Sequence, residues 1–333
     1  MDYANLFERI TKLNILIIGD VMIDSYMWGK VERISPEAPV PIVSISKSEE
    51  RLGGAANVAL NIASMGAEPI LASVIGKDSK GRELLHIMEN RNMSIEGIYQ
   101  SENRKTTVKT RVLGNKVQLL RVDEEIETPL IEEDELKFIR VIKDILSKKR
   151  IDAIIFQDYD KGVITPNIID KIVRISKARN IPTAVDPKKR NFLEYRDVTL
   201  FKPNLKELKE GLKIEFDKPN LNNLDEASKL LRKELNLDIV FVTLSEYGVY
   251  ICDFREKEMK SYIIPAFERS IADVSGAGDT VISVSTICLA LGLDSKLIAQ
   301  ISNLSGGLVC ERIGVVPIEK DLLYKEIISK LQN

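Results

Sequence analysis

The chain of 333 residues has a single histidine, His86. One imidazole leaves no room for a metal site built on several histidines, and its place in a helix-like stretch argues against a Ser-His-Asp triad. His86 lies in Gly81-Arg82-Glu83-Leu84-Leu85-His86-Ile87-Met88, which reads as an amphipathic helix, so a surface or helix-packing role is expected. Cysteine is scarce: Cys252, Cys288 and Cys310 stand far apart, with no CxxC pair. They read as small buried residues of a reducing compartment. No apolar run approaches the roughly 18 residues that a membrane span needs. Met1 to Leu13 carries Asp2, Glu8, Arg9 and Lys12 where a signal peptide would be apolar. Charge of one sign is also lacking, with 48 Lys and Arg against 50 Asp and Glu and a formal net charge of -2. No basic field invites nucleic acid, so any anion specificity must be local. The expectation is a cytoplasmic protein with neither a membrane nor a nucleic acid as partner.

What is present is an ordinary globular composition, 44% hydrophobic and 29% charged, with length for a large buried core. Asn14-Ile15-Leu16-Ile17-Ile18-Gly19-Asp20 reads as a buried parallel strand. Further strands are expected at 40–46, 69–75, 152–156, 182–186, 198–201 and 238–243. Helices are expected at 53–65, 79–90, 132–148, 166–179, 204–211, 224–235, 277–291, 295–312 and 319–331. In the 132–148 helix, Leu136, Ile139, Ile142 and Leu146 share a face. Residues 249–264 look like an antiparallel pair. Two β-rich stretches, 106–113 and 117–122, flank Gly114-Asn115, a hairpin signal. The alternation predicts a mostly parallel α/β sheet with helices on both faces. A small β lid is expected from about 21–45 and 95–123, within one domain spanning 1–333.

The strongest local signal is Asp273-Val274-Ser275-Gly276-Ala277-Gly278-Asp279-Thr280 ahead of a long apolar helix. Its glycines permit a tight turn, and N–H groups entering a helix form an anion site. An aspartate there suits an acceptor hydroxyl while the amides hold a transferring phosphoryl group. Ordinary turn chemistry at a helix start is the alternative. A second cluster, Leu52-Gly53-Gly54-Ala55-Ala56-Asn57, also enters a helix, and the Asn57 amide can both donate to and accept from a polyol. Asp24 follows the first strand by a few residues, where open α/β sheets bind ligands. In Lys202-Pro203-Asn204-Leu205-Lys206-Glu207, Asn204 and Glu207 have capping-box spacing. The same pair also fits a phosphate contact and a carboxylate holding hydrated Mg²⁺. No GxxxxGK[ST] sequence occurs, no GxGxxG follows the first strand, and the protein-kinase HRD and DFG sets are absent.

Together and in this order, Gly53-Gly54-Ala55-Ala56-Asn57 and Asp273 to Asp279 resemble the two signatures of the ribokinase/PfkB sugar kinases, across about Leu13 to Pro317. Val274 stands where that family usually has threonine. Gly19 to Asp24, Arg33 to Pro41, Gln157-Asp158-Tyr159-Asp160-Lys161-Gly162 and the stretches 111–113 and 118–123 are similar to the D-glycero-β-D-manno-heptose-7-phosphate kinases. Asp160 departs from the alanine or asparagine more usual there. The resemblance implies transfer of the ATP γ-phosphate to an anomeric hydroxyl, on the route to ADP-heptose and lipopolysaccharide core. Asp279 would be the general base, with Gly276, Ala277 and Gly278 as the anion hole. Asp24, Gly53, Gly54 and Asn57 would bind sugar hydroxyls. Arg111, ranked above Lys109 and Arg121, and then Lys161 would meet the distal phosphate; a solvated lid face is the competing reading. Lys188, Asn204, Glu207, Thr243, Ser245, Gly248, Asn303 and Gly306 would line the ATP side, with Mg²⁺ arriving with ATP and held through water by Glu207. A homodimer paired lid to lid is implied. Many relatives carry a nucleotidyltransferase domain with an HxGH signature. None is expected here, and the rivals are a kinase for another sugar or nucleoside and a silent binding protein.

Overall fold

A computed structural model describes residues 2–115, 117–267, 269–312 and 314–331. In chain order the elements are α1 (Tyr3–Ile10), β1 (Asn14–Gly19), β2 (Val21–Ile34), β3 (Pro41–Gly54), α2 (Ala55–Ser64), β4 (Glu68–Gly76), α3 (Ser79–Asn90), β5 (Ile98–Ser101), β6 (Val108–Gly114) and β7 (Val117–Glu124). Then come α4 (Glu132–Lys148), β8 (Ala153–Gln157), α5 (Pro166–Ala178), β9 (Thr183–Asp186), β10 (Leu200–Phe201), α6 (Leu205–Leu212), α7 (Leu221–Leu235), β11 (Ile239–Thr243), β12 (Val249–Asp253), β13 (Lys260–Ile264), α8 (Ala277–Ala290), α9 (Ser295–Cys310) and α10 (Lys320–Leu331).

The large sheet runs β13-β12-β11-β10-β9-β8-β1-β4-β5. It is parallel from β11 to β5, with β12 and β13 antiparallel at one edge. A strand buried on both faces has no polar side to alternate with, which is why Ile15-Leu16-Ile17-Ile18 is a continuous apolar run. Ile15 and Ile17 join the core under α1, α2, α3, α8, α9 and α10. Leu16 and Ile18 join the core under α4, α5, α6 and α7. The polar residues gather where the parallel strands end: Asp20 after β1, Gln157 and Asp158 at β8, Asp186 at β9, Lys202 after β10 and Thr243 at β11. Such an edge is where ligands bind in open α/β sheets.

The second sheet, β3-β2-β6-β7, is the lid. Its limits differ from the expected ones. Strand β3 continues to Gly54, so the sheet runs directly into α2, whereas β5 pairs with β4 in the large sheet. In α4, Leu136 is exposed, and Phe138 and Ile145 fill the buried face beside Ile139, Ile142 and Leu146. Helix α1 was not anticipated. Tyr3, Leu6, Phe7 and Ile10 recur at helical spacing and are buried.

Candidate active site

Asp279 lies in the first turn of α8 and is 7% exposed. Gly276 caps that helix with φ +81°, a left-handed conformation that glycine adopts without cost. The Asp279 carboxylate is surrounded by donors from other elements. Its Oδ1 accepts from the Tyr159 hydroxyl at 2.6 Å and from Gln157 Nε2 at 3.2 Å. Its Oδ2 accepts from Asn57 Nδ2 at 2.7 Å. Burial pushes the Asp279 pKa up to about 6 against the lowering effect of Tyr159 and Asn57; Asp186 raises it and Lys202 lowers it.

Asn57 reaches this carboxylate because β3 ends in Gly53-Gly54. Gly54 has φ +62°, and a Cβ there would fall 2.4 Å from the Asp20 carbonyl oxygen. Behind the site, Thr280 Oγ1 donates to Asn61 Oδ1 at 3.0 Å, and Asn61 Nδ2 donates to the Asn57 carbonyl at 3.0 Å, which ties α2 to α8.

At the helix entrance the Ala277 N–H donates to the Val274 carbonyl at 3.3 Å. The Gly276, Gly278 and Asp279 N–H groups have no protein acceptor among the described residues. The available amides are therefore displaced from the expected Gly276-Ala277-Gly278 set to Gly276, Gly278 and Asp279.

Beneath them, Lys202 Nζ lies 3.1 Å from Asp186 Oδ2, with side chains 3% and 7% exposed. A Cβ on Gly278 would lie 3.9 Å from each. Lys188 pairs with Glu207. Burial alone would lower the Lys188 pKa, but Asp186, Glu207 and Asp279 raise it further still, so its charge is secure. Asn204 and Glu207 form the anticipated capping box on α6, with Asn204 N–H to Glu207 Oε2 at 2.9 Å and Glu207 N–H to Asn204 Oδ1 at 2.8 Å. Beside the amides is a 420 Å³ cavity lined by Thr243, Ser245, Gly248, Gly278, Asn303 and Gly306, with Val249, Phe267 and Val281 giving it apolar walls. Asn303 is turned to the Pro265 carbonyl at 2.7 Å.

On the lid side, Asp24 is buried and paired with Arg111, Oδ1 to Nη1 at 2.5 Å. A Cβ on Gly53 would fall 2.2 Å from Asp24 Oδ2, so only glycine leaves room for that carboxylate. Arg111 and Arg51 lie 5.3 Å and 5.0 Å from the centre of the Tyr26 ring. The other candidate cations are ion-paired as well. Lys109 is engaged by Asp123 at 3.1 Å and Glu125 at 2.9 Å, and Lys161 by Glu125 at 2.8 Å and Glu127 at 2.6 Å. Arg121, half exposed, pairs with Asp123 at 2.9 Å.

Sequence reasoning missed Gln157, Tyr159, Asp186, Lys202 and Arg51 as site residues. Three of them stand inside stretches already singled out, Gln157-Asp158-Tyr159 and Lys202-Pro203-Asn204, and Asp186 lies two residues before Lys188. The available signal was position: each is at or just beyond the end of a parallel strand. It also missed Asp20, whose carboxylate accepts the N–H groups of Tyr159, Lys161 and Val163 at 2.9, 3.2 and 3.0 Å. Burial and the neighbouring Asp158 push its pKa up to about 6 against those bonds.

A mostly parallel sheet between two helical layers, with a small β lid over its carboxyl edge and Gly-Ala-Gly-Asp at a helix start, defines the ribokinase-like class. The model of the pfkB family of carbohydrate kinases matches residues 12–321, and the chain belongs to that family. It is 39% identical over 300 residues to the bifunctional protein HldE of Wolinella succinogenes, covering 90% of this chain and 61% of that protein. Against HldE of Methylobacillus flagellatus it is 39% identical over 316 residues, covering 95% and 63%. The chain thus spans less than two thirds of the length of these relatives. Among solved structures, phosphofructokinase-2 from Escherichia coli in complex with fructose-6-phosphate superposes with TM-score 0.75 at 16% identity, covering 96% of this chain and 99% of that one. Arabidopsis thaliana ribokinase complexed with ribose and ATP gives 0.71 at 16%, covering 94% and 98%. At such identity these two speak for the fold. No helix among the described residues is long and apolar enough to cross a membrane.

Proposed function

We propose that this chain is an ATP-dependent kinase of D-glycero-β-D-manno-heptose 7-phosphate, phosphorylating its anomeric hydroxyl to give the 1,7-bisphosphate. The observation that carries the kinase reading is the Asp279 carboxylate, buried with a pKa near 6 beside amides that have no protein acceptor. Such a base is ionised at neutral pH yet basic enough to take a hydroxyl proton. The heptose assignment rests on the HldE relatives and on the Arg111 pairing.

The residues present fit a nucleotide. The cavity has apolar walls for a base, and Gly278 at its edge has Lys202 beneath it. When bound, Mg·ATP supplies the phosphoryl group, and Glu207, through water, is the carboxylate that would hold the metal. Lys188, Asn204, Thr243, Ser245, Gly248, Asn303 and Gly306 line the nucleotide side.

The chain's own part is positioning and charge. Asp24, Gly53, Gly54 and Asn57 bind the sugar hydroxyls. Asp279 takes the proton of the attacking hydroxyl. The Gly276, Gly278 and Asp279 amides, with Lys202 behind them, stabilise negative charge at a helix entrance. Arg111 leaves Asp24 to grip the distal phosphate with its planar fork, which frees Asp24 for a hydroxyl. Lys109, Arg121 and Lys161 set the charge around that grip through their shared acids. We place the chain in the cytoplasm as a homodimer joined through its lids, and read 1–333 as one kinase domain.

The test is ADP release with Mg·ATP and heptose 7-phosphate, fructose 6-phosphate, ribose or adenosine, for the native chain and Arg111→Ala. Selectivity for the heptose phosphate is expected, with Arg111→Ala raising its KM at least tenfold while the KM for ATP holds. Preference for an unphosphorylated acceptor would overturn the assignment.

A further inference from the structure

The Asp279 carboxylate is held more firmly than a lone base requires. An ionised carboxylate offers about four lone-pair directions. Two on Oδ1 are taken by Tyr159 and Gln157, and one on Oδ2 by Asn57. What remains open is on Oδ2.

Neither Oδ1 donor belongs to the glycine signatures. Gln157 closes β8, and its amide lies between two acids, with Nε2 also 3.3 Å from Asp186 Oδ2. Reversing that amide would set its oxygen against both carboxylates, so its orientation is fixed by charge; Oε1 is left buried without a partner. Tyr159 comes from the loop after β8, and that loop is pinned by the three backbone N–H groups that donate to Asp20. The phenol is placed by backbone, independently of its own hydrogen bond.

We propose that Tyr159 is a positioning residue for the general base: supported by Gln157, its hydroxyl fixes Asp279 Oδ1, so that Oδ2 faces the acceptor hydroxyl and the carboxylate is kept ionised. This rests on the reading of Asp279 as the base. A hydroxyl 2.6 Å from a carboxylate oxygen is a charge-assisted bond, which favours the ionised acid. Burial, and then Asp279 itself, holds the Tyr159 pKa well above the usual phenol range, so the donor keeps its proton throughout. The other charged groups facing the pair are Asp186 at the end of β9, Lys202 after β10 and Lys188, whose Nζ is 5.9 Å from the centre of the Tyr159 ring. Gln157 and Asn57 are neutral. Replacing the phenol alters none of these side chains, and the Asp20 bonds survive because they go to backbone.

The experiment is the pH profile of kcat/KM for the native chain, for Tyr159→Phe and for the chain with 3-fluorotyrosine at position 159. Loss of the donor should move the acid limb upward by roughly half to one pH unit and lower the plateau about 3- to 30-fold, with the KM for ATP unchanged. The more acidic fluorophenol is a stronger donor and should move the limb downward; it also carries the test if Tyr159→Phe does not fold. An acid limb that stays in place in every variant that folds, whatever happens to rate or stability, would overturn the role of Tyr159. The parent reading fails separately: if Asp279→Asn turns over like the native chain, Asp279 is not the base, whereas an inactive Asp279→Asn with an unmoved limb removes Tyr159 alone.

Discussion

The residue with most at stake is Asp279. Its folded-state pKa of about 6 lies above the ordinary value of 3.8. An acid with a raised pKa contributes stability that is fully present below its unfolded value and is lost as pH rises through the folded one. The native chain is therefore penalised at neutral pH for keeping this carboxylate buried and charged. Asp279→Asn removes the titration. Its stability relative to the native chain should rise between about pH 4 and pH 7 and level off above that. About two pKa units correspond to a gain on the order of 2–3 kcal/mol. Urea denaturation at pH 4 and pH 8 would measure it, and a difference independent of pH would mean that the burial penalty is not there. Asp20, with a similar shift, is common to both chains and cancels.

At the scale of elements, the lid shows what a strand pattern can and cannot reveal. The Gly114-Asn115 hairpin and the alternation around it were legible, because a period of two and a turn dipeptide are local properties. The partners of the charges were not. Register sets Arg51, Asp24, Lys109 and Asp123 in one row across β3, β2, β6 and β7, and Glu49, Tyr26, Arg111 and Arg121 in the next. Four strands distant in sequence neutralise most of the cations the sequence offered as phosphate ligands. The opposite face carries Met27, Val112 and Leu120 in one row, and Leu120 and Val122 are 57% and 44% exposed. Exposed apolar side chains on a sheet face suit a second copy of the same face. Leu120→Lys should convert the proposed dimer to monomer in sedimentation at micromolar concentration, with the far-ultraviolet spectrum retained. A native chain that already sediments as a monomer would contradict lid pairing.

For the whole molecule, the architecture was legible because strand–helix alternation and continuous apolar strands have one common solution, a parallel sheet covered on both faces. The two glycine signatures were legible as well, since each is a contiguous turn into a helix. Gln157, Tyr159, Asp186 and Lys202 were not, for they converge on Asp279 only through the order β1-β8-β9-β10 in the large sheet. Helix α1 carries a local signal of its own, the helical spacing of Tyr3, Leu6, Phe7 and Ile10.

The most direct test of the account is the turnover of Asp279→Asn under saturating Mg·ATP and heptose 7-phosphate, with folding checked in parallel. Loss of the general base predicts a fall of roughly 10²–10⁴ in kcat in a chain that remains folded. Near-native turnover by a folded Asp279→Asn chain would contradict the mechanism at its centre.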